Sequence, residues 1–282
     1  MSADELYRVL RESLTSVAGE GAAYEARELL SALTGEPFPM LLASRAELSA
    51  AMVAQAENAV LRRKGGEPLA YILGFTYFYG LRFSVSPACL IPQADTEIVT
   101  EKAIAHLGKG MRFADICTGS GCIALSMLHE TAETEAYAYD LSADALAVAE
   151  KNAKDLGLSE RFHAIRADVF AEDFLASDGV FDLVVSNPPY IRTSVIETLS
   201  CDVQAEPHMA LDGGEDGLIF YKRFLATLPQ KLLRGGQIIF EIGYDQEAAL
   251  HSLCENEGLD HEFFRDYGGN VRGIIIKTET HE

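Results

Sequence analysis

The sequence predicts an α/β protein: a mostly parallel sheet covered by helices on both faces, preceded by a small all-α segment and a linking β-hairpin. Three observations carry this. Apolar residues recur at three- and four-residue steps from residue 1 to about 73. Aromatic and β-branched residues broken by Gly80 then run from Phe75 to Val85. From about 96 onward, strand-like and helix-like periods alternate, the pattern of a sheet built from βα units. The boundaries expected are a helical domain over 1–73, a hairpin linker over 74–95 and an α/β domain over 96–282.

Composition is that of a folded globular chain: 282 residues, 48% hydrophobic and 23% charged, enough for one large or two modest domains. The formal charge is −20. A protein that lives on phosphate backbones usually needs a surplus of cations to displace counterions, so direct nucleic-acid binding is not expected. No stretch of about 18 apolar residues is present to span a membrane. Met1 to Leu10, with Asp4, Glu5 and Arg8, lacks the basic-then-apolar order of a signal peptide. Cys89, Cys117, Cys122, Cys201 and Cys254 are odd in number, scattered and without a C-x-x-C. Reduced thiols of a cytoplasmic protein are expected. The seven histidines show no H-x-x-x-H or H-E-x-x-H, so no metal site is expected.

In the helical segment, Leu6, Val9, Leu10, Leu14 and Val17 share the spacing of one helix face, as do Ala26, Leu29, Leu30 and Leu33. Ser49–Arg63 is a further such run, with Ala51, Met52, Ala54, Gln55 and Ala59, and Thr34-Gly35-Glu36-Pro37 punctuates between helices. The aromatic run around Gly80 predicts a hairpin, and Pro87 and Pro92 bracket the loop after it. Helix Thr96–Leu107 then leads to strand Arg112–Cys117, helix Cys122–Glu130 and strand Glu135–Asp140. Ser142 caps helix Ala143–Leu156, which Gly157 ends. Strand Phe162–Ala167, a loop with a short helix, and the buried strand Phe181–Ser186 follow. Helix Gly217–Leu233 is expected to stop at Gly235-Gly236. Strand Gln237–Ile242, helix Gln246–Glu257 and strands Glu262–Asp266 and Gly273–Thr278 complete the series. The last two strands are joined by a glycine-rich turn without a helix, so they should be antiparallel.

Asp115-Ile116-Cys117-Thr118-Gly119-Ser120-Gly121 ends a strand and opens a helix. Glycines there let a ligand approach the backbone, and the helix N-terminus offers free N–H groups. In a doubly wound sheet this is where a nucleotide-like cofactor binds. Asp140, about twenty residues on, is placed to accept both hydroxyls of a ribose, and Asp168, ending the third strand, to reach an adenine amine. NAD and S-adenosylmethionine both remain open on these residues.

Val184-Val185-Ser186-Asn187-Pro188-Pro189-Tyr190 is sharper. Two prolines after a central strand cannot continue its ladder and fix a rigid loop at its carboxyl edge. A planar –NH2 group has two N–H donors, which the Asn187 side-chain oxygen and the Pro188 carbonyl can accept, while Tyr190 packs against its plane. The nitrogen lone pair then faces an electrophile, an arrangement suited to methyl transfer from S-adenosylmethionine. Acceptors on both N–H groups stabilise the charge that develops in the transition state, and orientation supplies much of the rest.

Asn187-Pro188-Pro189-Tyr190 with the Asp115–Gly121 loop resembles the class I S-adenosylmethionine-dependent methyltransferases. Within these the chain is similar to the HemK/PrmC family of peptide chain release factor glutamine methyltransferases. Matching stretches are Glu67–Gly74, Leu90-Ile91-Pro92 with Asp95-Thr96-Glu97, Glu206-Pro207 with Ala210-Leu211, Gly213–Leu218 and Arg265-Asp266-Tyr267.

The resemblance implies a Rossmann-like seven-stranded sheet and a helical substrate-recognition domain. It also implies methylation of the glutamine amide in the Gly-Gly-Gln tip of release factors, with S-adenosylhomocysteine as product. Carried over, Asn187, Pro188, Pro189 and Tyr190 hold substrate and carry the chemistry. Cys117, Thr118, Gly119, Ser120, Gly121, Asp140, Asp168, Val169 and Asn187 contact the cofactor. Two departures from the family pattern stand out: Gln93-Ala94 stands where Arg-Pro is usual, and Cys117 where glycine is usual, a position expected to take an ordinary L-residue conformation.

Competing readings are the sister ribosomal-protein glutamine methyltransferase, an adenine exocyclic-amine methyltransferase on DNA or RNA, an NAD-dependent oxidoreductase, and a non-catalytic adaptor. Residues 76–282 hold 16 basic and 33 acidic residues, which weighs against nucleic acid. No hydride-handling residue is evident near the loop, and the intact N-P-P-Y argues against an adaptor. The protein is expected to act as a monomer.

Overall fold

The structure is a computed structural model that describes residues 1–45, 47–176 and 179–277. The chain forms two compact units, Met1–Phe75 with Ser200–Ala205, and Thr76–Leu199 with the chain from Glu206 onward.

The first unit holds helices α1 (Ala3–Ala18), α2 (Ala22–Thr34), α3 (Phe38–Ser44), α4 (Ala50–Lys64) and α5 (Leu69–Leu73). Ser2 caps α1 in a reciprocal box with Glu5, satisfying two orphan N–H groups. Leu6, Leu10, Leu14, Ala26, Leu29 and Leu30 are buried together. Val9 and Val17, on the expected face of α1, are instead exposed, because the buried stripe runs narrowly through Ala3, Leu6, Leu10 and Leu14. In α4 the buried face is Ala56, Ala59, Val60 and Arg63, while Ala51, Ala54 and Gln55 face solvent. An alanine-rich helix fits several registers. The one adopted carries Arg63 to Glu25 of α2 at 3.0 Å and to Asp202 at 2.7 Å, so the Ser200–Ala205 segment is tied to this unit by an ion pair that no local pattern announces.

Strands β1 (Phe75–Phe78) and β2 (Leu81–Ser84) form the hairpin. Its turn residues Tyr79 and Gly80 both sit at positive φ, 51° and 74°, as a two-residue hairpin turn requires. In the second unit follow α6 (Glu97–His106), β3 (Arg112–Ile116), α7 (Cys122–Glu130), β4 (Glu135–Asp140), α8 (Ala143–Asp155), β5 (Phe162–Arg166) and β6 (Phe181–Ser186). Short helices α9 (Thr193–Ile196) and α10 (Cys201–Gln204) precede α11 (Ile219–Thr227), β7 (Leu232–Glu241), α12 (Glu247–Asn256), β8 (Asp260–Arg265) and β9 (Val271–Lys277).

The seven-stranded sheet has the order β5-β4-β3-β6-β7-β9-β8. Its first five strands pair parallel; β9 pairs antiparallel with both β7 and β8. Side chains alternate between two cores: Phe113, Leu183 and Val185 face α6, α7 and α8, whereas Ala114, Ile116 and Val184 face α11 and α12. Strand order reverses between β3 and β6, which opens a crevice at their carboxyl ends. Among the described residues, no helix is long and apolar enough to cross a membrane.

Three expected elements change. The helix expected over Gly217–Leu233 ends at Thr227, where Pro229 follows and withdraws an N–H. Strand β7 already begins at Leu232 and passes through Gly235-Gly236, so this pair does not terminate a helix. The β6–β7 register jumps there, from Phe181 opposite Leu232 to Leu183 opposite Gln237. The described residues between β5 and β6 form turns, without the short helix expected. Thr278, expected to close the last strand, lies outside the described residues.

Candidate active site

The crevice is a cavity of about 460 Å³, within the size range of small-molecule and cofactor sites. Its walls come from the loops after β3, β4, β5 and β6, from Ala88–Thr96, and from Pro207–Phe220.

The loop after β3 is set by backbone conformation. Cys117, Gly119 and Gly121 all have positive φ, 62°, 56° and 78°. Cys117 therefore adopts the left-handed conformation that its L side chain disfavours, contrary to the ordinary geometry expected. Gly121 caps α7 and lies so close to its neighbours that a methyl there would meet Ala149 Cβ and Leu125 Cδ1 at 3.1 Å. Beneath the loop, fully buried Asp115 accepts from Thr118 Oγ1 (2.7 Å) and Ala124 N (3.3 Å). Burial pushes its carboxyl up to about 7, against the pull of those two bonds. Asp140 Oδ2 accepts from Gly119 N and Oδ1 from Ser142 N, both at 2.9 Å. Burial raises this carboxyl too, opposed by the backbone N–H groups of Ser142, Gly119 and Leu141. Buried Asn152, which the sequence reading did not single out, donates to Ser120 O at 2.9 Å and to Ser84 O at 3.0 Å. It thereby ties the glycine loop to β2.

After β5, Asp168 Oδ1 accepts from Phe170 N at 2.9 Å. Arg223 of α11 donates to the carbonyls of Val169 (2.7 Å) and Ala171 (2.6 Å), holding the turn in which Asp168, Val169 and Phe170 line the cavity.

Asn187 and Pro189 also line the cavity; Pro188 is buried beside them, and Tyr190 turns away. Asn187 Nδ2 donates to Thr96 Oγ1 at 3.3 Å, which fixes the orientation of the amide. The Tyr190 hydroxyl donates to Glu241 Oε1 at 3.2 Å. Burial carries this phenol well above its ordinary range. Glu241, fully desolvated, is pushed up to about 7, while Thr96, Arg272 and Tyr190 pull the other way.

The N-P-P-Y backbone is locked from behind. Ile191 N donates to Leu211 O at 3.0 Å, Gly213 N to Ile191 O at 2.8 Å, and Gln246 Nε2 to Tyr190 O at 3.1 Å. A methyl at Gly213 would sit 2.8 Å from Tyr190 Cα, and one at Gly217 2.5 Å from Tyr190 O. Buried Glu206 accepts from Ile91 N at 2.7 Å, securing the segment that brings Leu90, Pro92 and Gln93 to the wall. The structure thus gathers Cys117–Ser120, Asp140, Asp168, Val169, Asn187 and Pro189 around one space, with Gly121 just beneath. Thr96, Leu141, Phe170, Ile219 and Phe220 join them. Thr96 lies in a stretch already matched by resemblance; the other four came without a sequence signal, since an apolar wall has no motif.

Comparison with known proteins agrees with this geometry. Residues 95–239 match the methyltransferase small domain, and residues 5–74 the PrmC N-terminal domain. The release factor glutamine methyltransferase of Moorella thermoacetica is 40% identical over 281 residues, covering 96% of this chain and 97% of its own. That of Bradyrhizobium diazoefficiens is 39% identical over 285 residues, 98% and 95%. Two solved structures share the fold. Ribosomal protein L11 methylase from Lactobacillus delbrueckii subsp. bulgaricus has a TM-score of 0.50 at 22% identity, over 69% of this chain and 84% of that one. Human methyltransferase 10 domain containing protein gives 0.51 at 20%, over 71% and 90%. With both domains matched and near 40% identity over almost its whole length, the chain belongs to the family of release factor glutamine methyltransferases.

Proposed function

We propose that this chain methylates the side-chain amide nitrogen of a release-factor glutamine, the one in the Gly-Gly-Gln tip, with S-adenosylmethionine as donor and S-adenosylhomocysteine as product. The observation that carries the reading is the placing of Asn187 and Pro189 on one wall of a cavity whose other walls are the glycine loop and Asp140. The residues present suit the cofactor. A methyl at Gly119 would meet no protein atom within 4 Å, so the backbone lies open to a ligand. Ser120 Oγ is buried without a hydrogen-bond partner, which a bound polar ligand would supply.

Asp140 would accept from the ribose, the Asp168-Val169 turn would receive the adenine, and Cys117 to Gly121 would receive the amino-acid end. When bound, S-adenosylmethionine supplies a methyl group on a positively charged sulfur. The chain's own task is to orient the glutamine amide. Asn187 Oδ1 and the Pro188 carbonyl accept its two N–H bonds, and the Thr96 bond to Asn187 Nδ2 keeps the acceptor end from rotating away. Rigid prolines hold these groups at no reorganisation cost when charge develops on nitrogen. Tyr190, turned away from the cavity toward Glu241 rather than walling the amide as expected, braces the loop from behind. The nitrogen loses its proton after the new N–C bond forms, so no strong base is needed. The helical unit, bland in chemistry, grips the release factor, and the enzyme acts as a cytoplasmic monomer without touching nucleic acid.

Transfer of labelled methyl from S-adenosylmethionine to purified release factor tests this. Incorporation into the wild-type factor and none into a Gln→Ala tip is expected. Labelling of the Gln→Ala factor at an undiminished rate would sink the proposal.

A further inference from the structure

We propose that His251 and Glu255 of α12, with His261 of edge strand β8, form a surface site for a borderline divalent cation such as Zn²⁺. One ligand atom from each lies within 4.8 Å of the other two. His251 and Glu255 are four residues apart on one helix, hence on one face. His261 arrives from the strand that follows.

The protonation pattern of the pair favours a cation. His261 Nδ1 lies 2.9 Å from the Leu259 carbonyl. A carbonyl only accepts, so Nδ1 carries the proton and Nε2 turns its lone pair to the cluster. A backbone carbonyl on the far ring nitrogen is the usual way a protein orients a histidine ligand. The facing nitrogen, His251 Nδ1, is 2.8 Å from His261 Nε2. A metal takes the place of the one proton these rings share, and His251 carries that proton on Nε2 instead. Metal–nitrogen bonds of about 2.0–2.1 Å set tetrahedral ligands about 3.3 Å apart, so the rings need open by only about half an ångström. His251 and Glu255 are exposed, with solvent rather than core around them. Residues 247–262 contain five carboxylates and no lysine or arginine, a local field that draws cations. Two imidazoles and one carboxylate suit zinc and exclude magnesium, which prefers oxygen ligands throughout. Water fills the fourth position. Bound metal clasps α12 to the outermost strand of the sheet, away from the cavity residues.

The test uses full-length, untagged protein carrying Cys201→Ser, because Cys201 is the exposed thiol. Calorimetric titration with ZnCl₂ is expected to show one ion bound with Kd on the order of micromolar. Thermal unfolding should shift upward with Zn²⁺ and not with Mg²⁺, since a ligand of the native state stabilises it. His261→Gln and Glu255→Gln should each weaken zinc at least tenfold and leave the thermal shift given by S-adenosylmethionine unchanged. His251→Ala, on an exposed helix face, checks that the loss is not one of folding. No zinc uptake at 100 times that concentration, or zinc affinity in the three variants undiminished from that of the Cys201→Ser protein, overturns the proposal.

Discussion

The loops after β3 and β6 stand side by side at the switch point of the sheet but are held in different ways. The glycine loop rests on side-chain acceptors and donors: Asp115 under Thr118, Asp140 on Gly119 N, Asn152 on Ser120 O. The N-P-P-Y loop rests on close packing of backbone against backbone, where Gly213 and Gly217 admit no Cβ. Its one buried carboxyl, Glu241, meets only the Tyr190 hydroxyl of the loop. A cofactor that binds and leaves each turnover suits a loop tuned by hydrogen bonds and charge. An amide that must be aligned for attack suits a loop with no freedom to move. Substitutions in one loop should therefore change what the other leaves alone.

The largest effect belongs to Asn187→Ala. Losing one preorganised partner of developing charge costs about 10²–10³-fold in turnover. Single-turnover methyl transfer should fall by that much, while the cofactor Kd from calorimetry stays within about twofold. Equal losses in both would mean that the loops do not divide the work. Gly213→Ala comes next. Overpacking of about 1–3 kcal/mol is expected from a Cβ 2.8 Å from Tyr190 Cα, seen as a lower denaturant midpoint, with turnover falling more than cofactor affinity. Gly119→Ala should behave in the opposite sense. Its Cβ meets no protein atom, so the left-handed φ of 56° costs stability only about 1–2 kcal/mol. The methyl enters the cavity, however, and cofactor affinity should fall about tenfold while the KM for release factor holds. A Gly119→Ala enzyme with native cofactor affinity would remove the glycine loop from the cofactor site.

The two loops also differ in how far the sequence foretells them. The glycine loop lies within one strand–turn–helix unit and Asp140 ends the strand that follows, so spacing alone locates Asp115, Gly119, Gly121 and Asp140. The N-P-P-Y tetrapeptide is equally visible, but its support is not. Gly213, Gly217 and Gln246 arrive from beyond α10, and nothing local says that they press on Tyr190. Misjudged elements share a cause. Residues 228–233 read as the end of a helix by period, yet Pro229 and pairing with β6 override it. The alanines of α4 fit several faces until Arg63 chooses one. Cys117 reads as an ordinary residue because a positive φ leaves no mark when glycine is missing. The His251–Glu255–His261 cluster hides likewise: two of its members have helical spacing, and the third comes only when β8 folds back along α12.

The smallest expected effect is a slope, and it probes the comparison where it is weakest, because each loop has a buried carboxyl behind it. Asp115 rises from 3.8, and Glu241 from 4.5, to about 7 in the folded protein, mainly through burial. Each folded carboxyl holds its proton more tightly than the unfolded chain does. The stability this difference contributes is fully present below the unfolded values and is lost as pH rises through about 7. Cofactor-free protein should thus lose stability between about pH 4 and 7 in urea titrations. Asp115→Asn and Glu241→Gln should each remove part of that slope. They should separate in the cofactor titration: Asp115→Asn alters the pH dependence of cofactor affinity, because Asp115 bears on Thr118 and the start of α7, whereas Glu241→Gln leaves it unchanged. If Glu241→Gln moved the cofactor profile as far as Asp115→Asn, charge would govern both loops and the division between a hydrogen-bonded and a packed loop would fail.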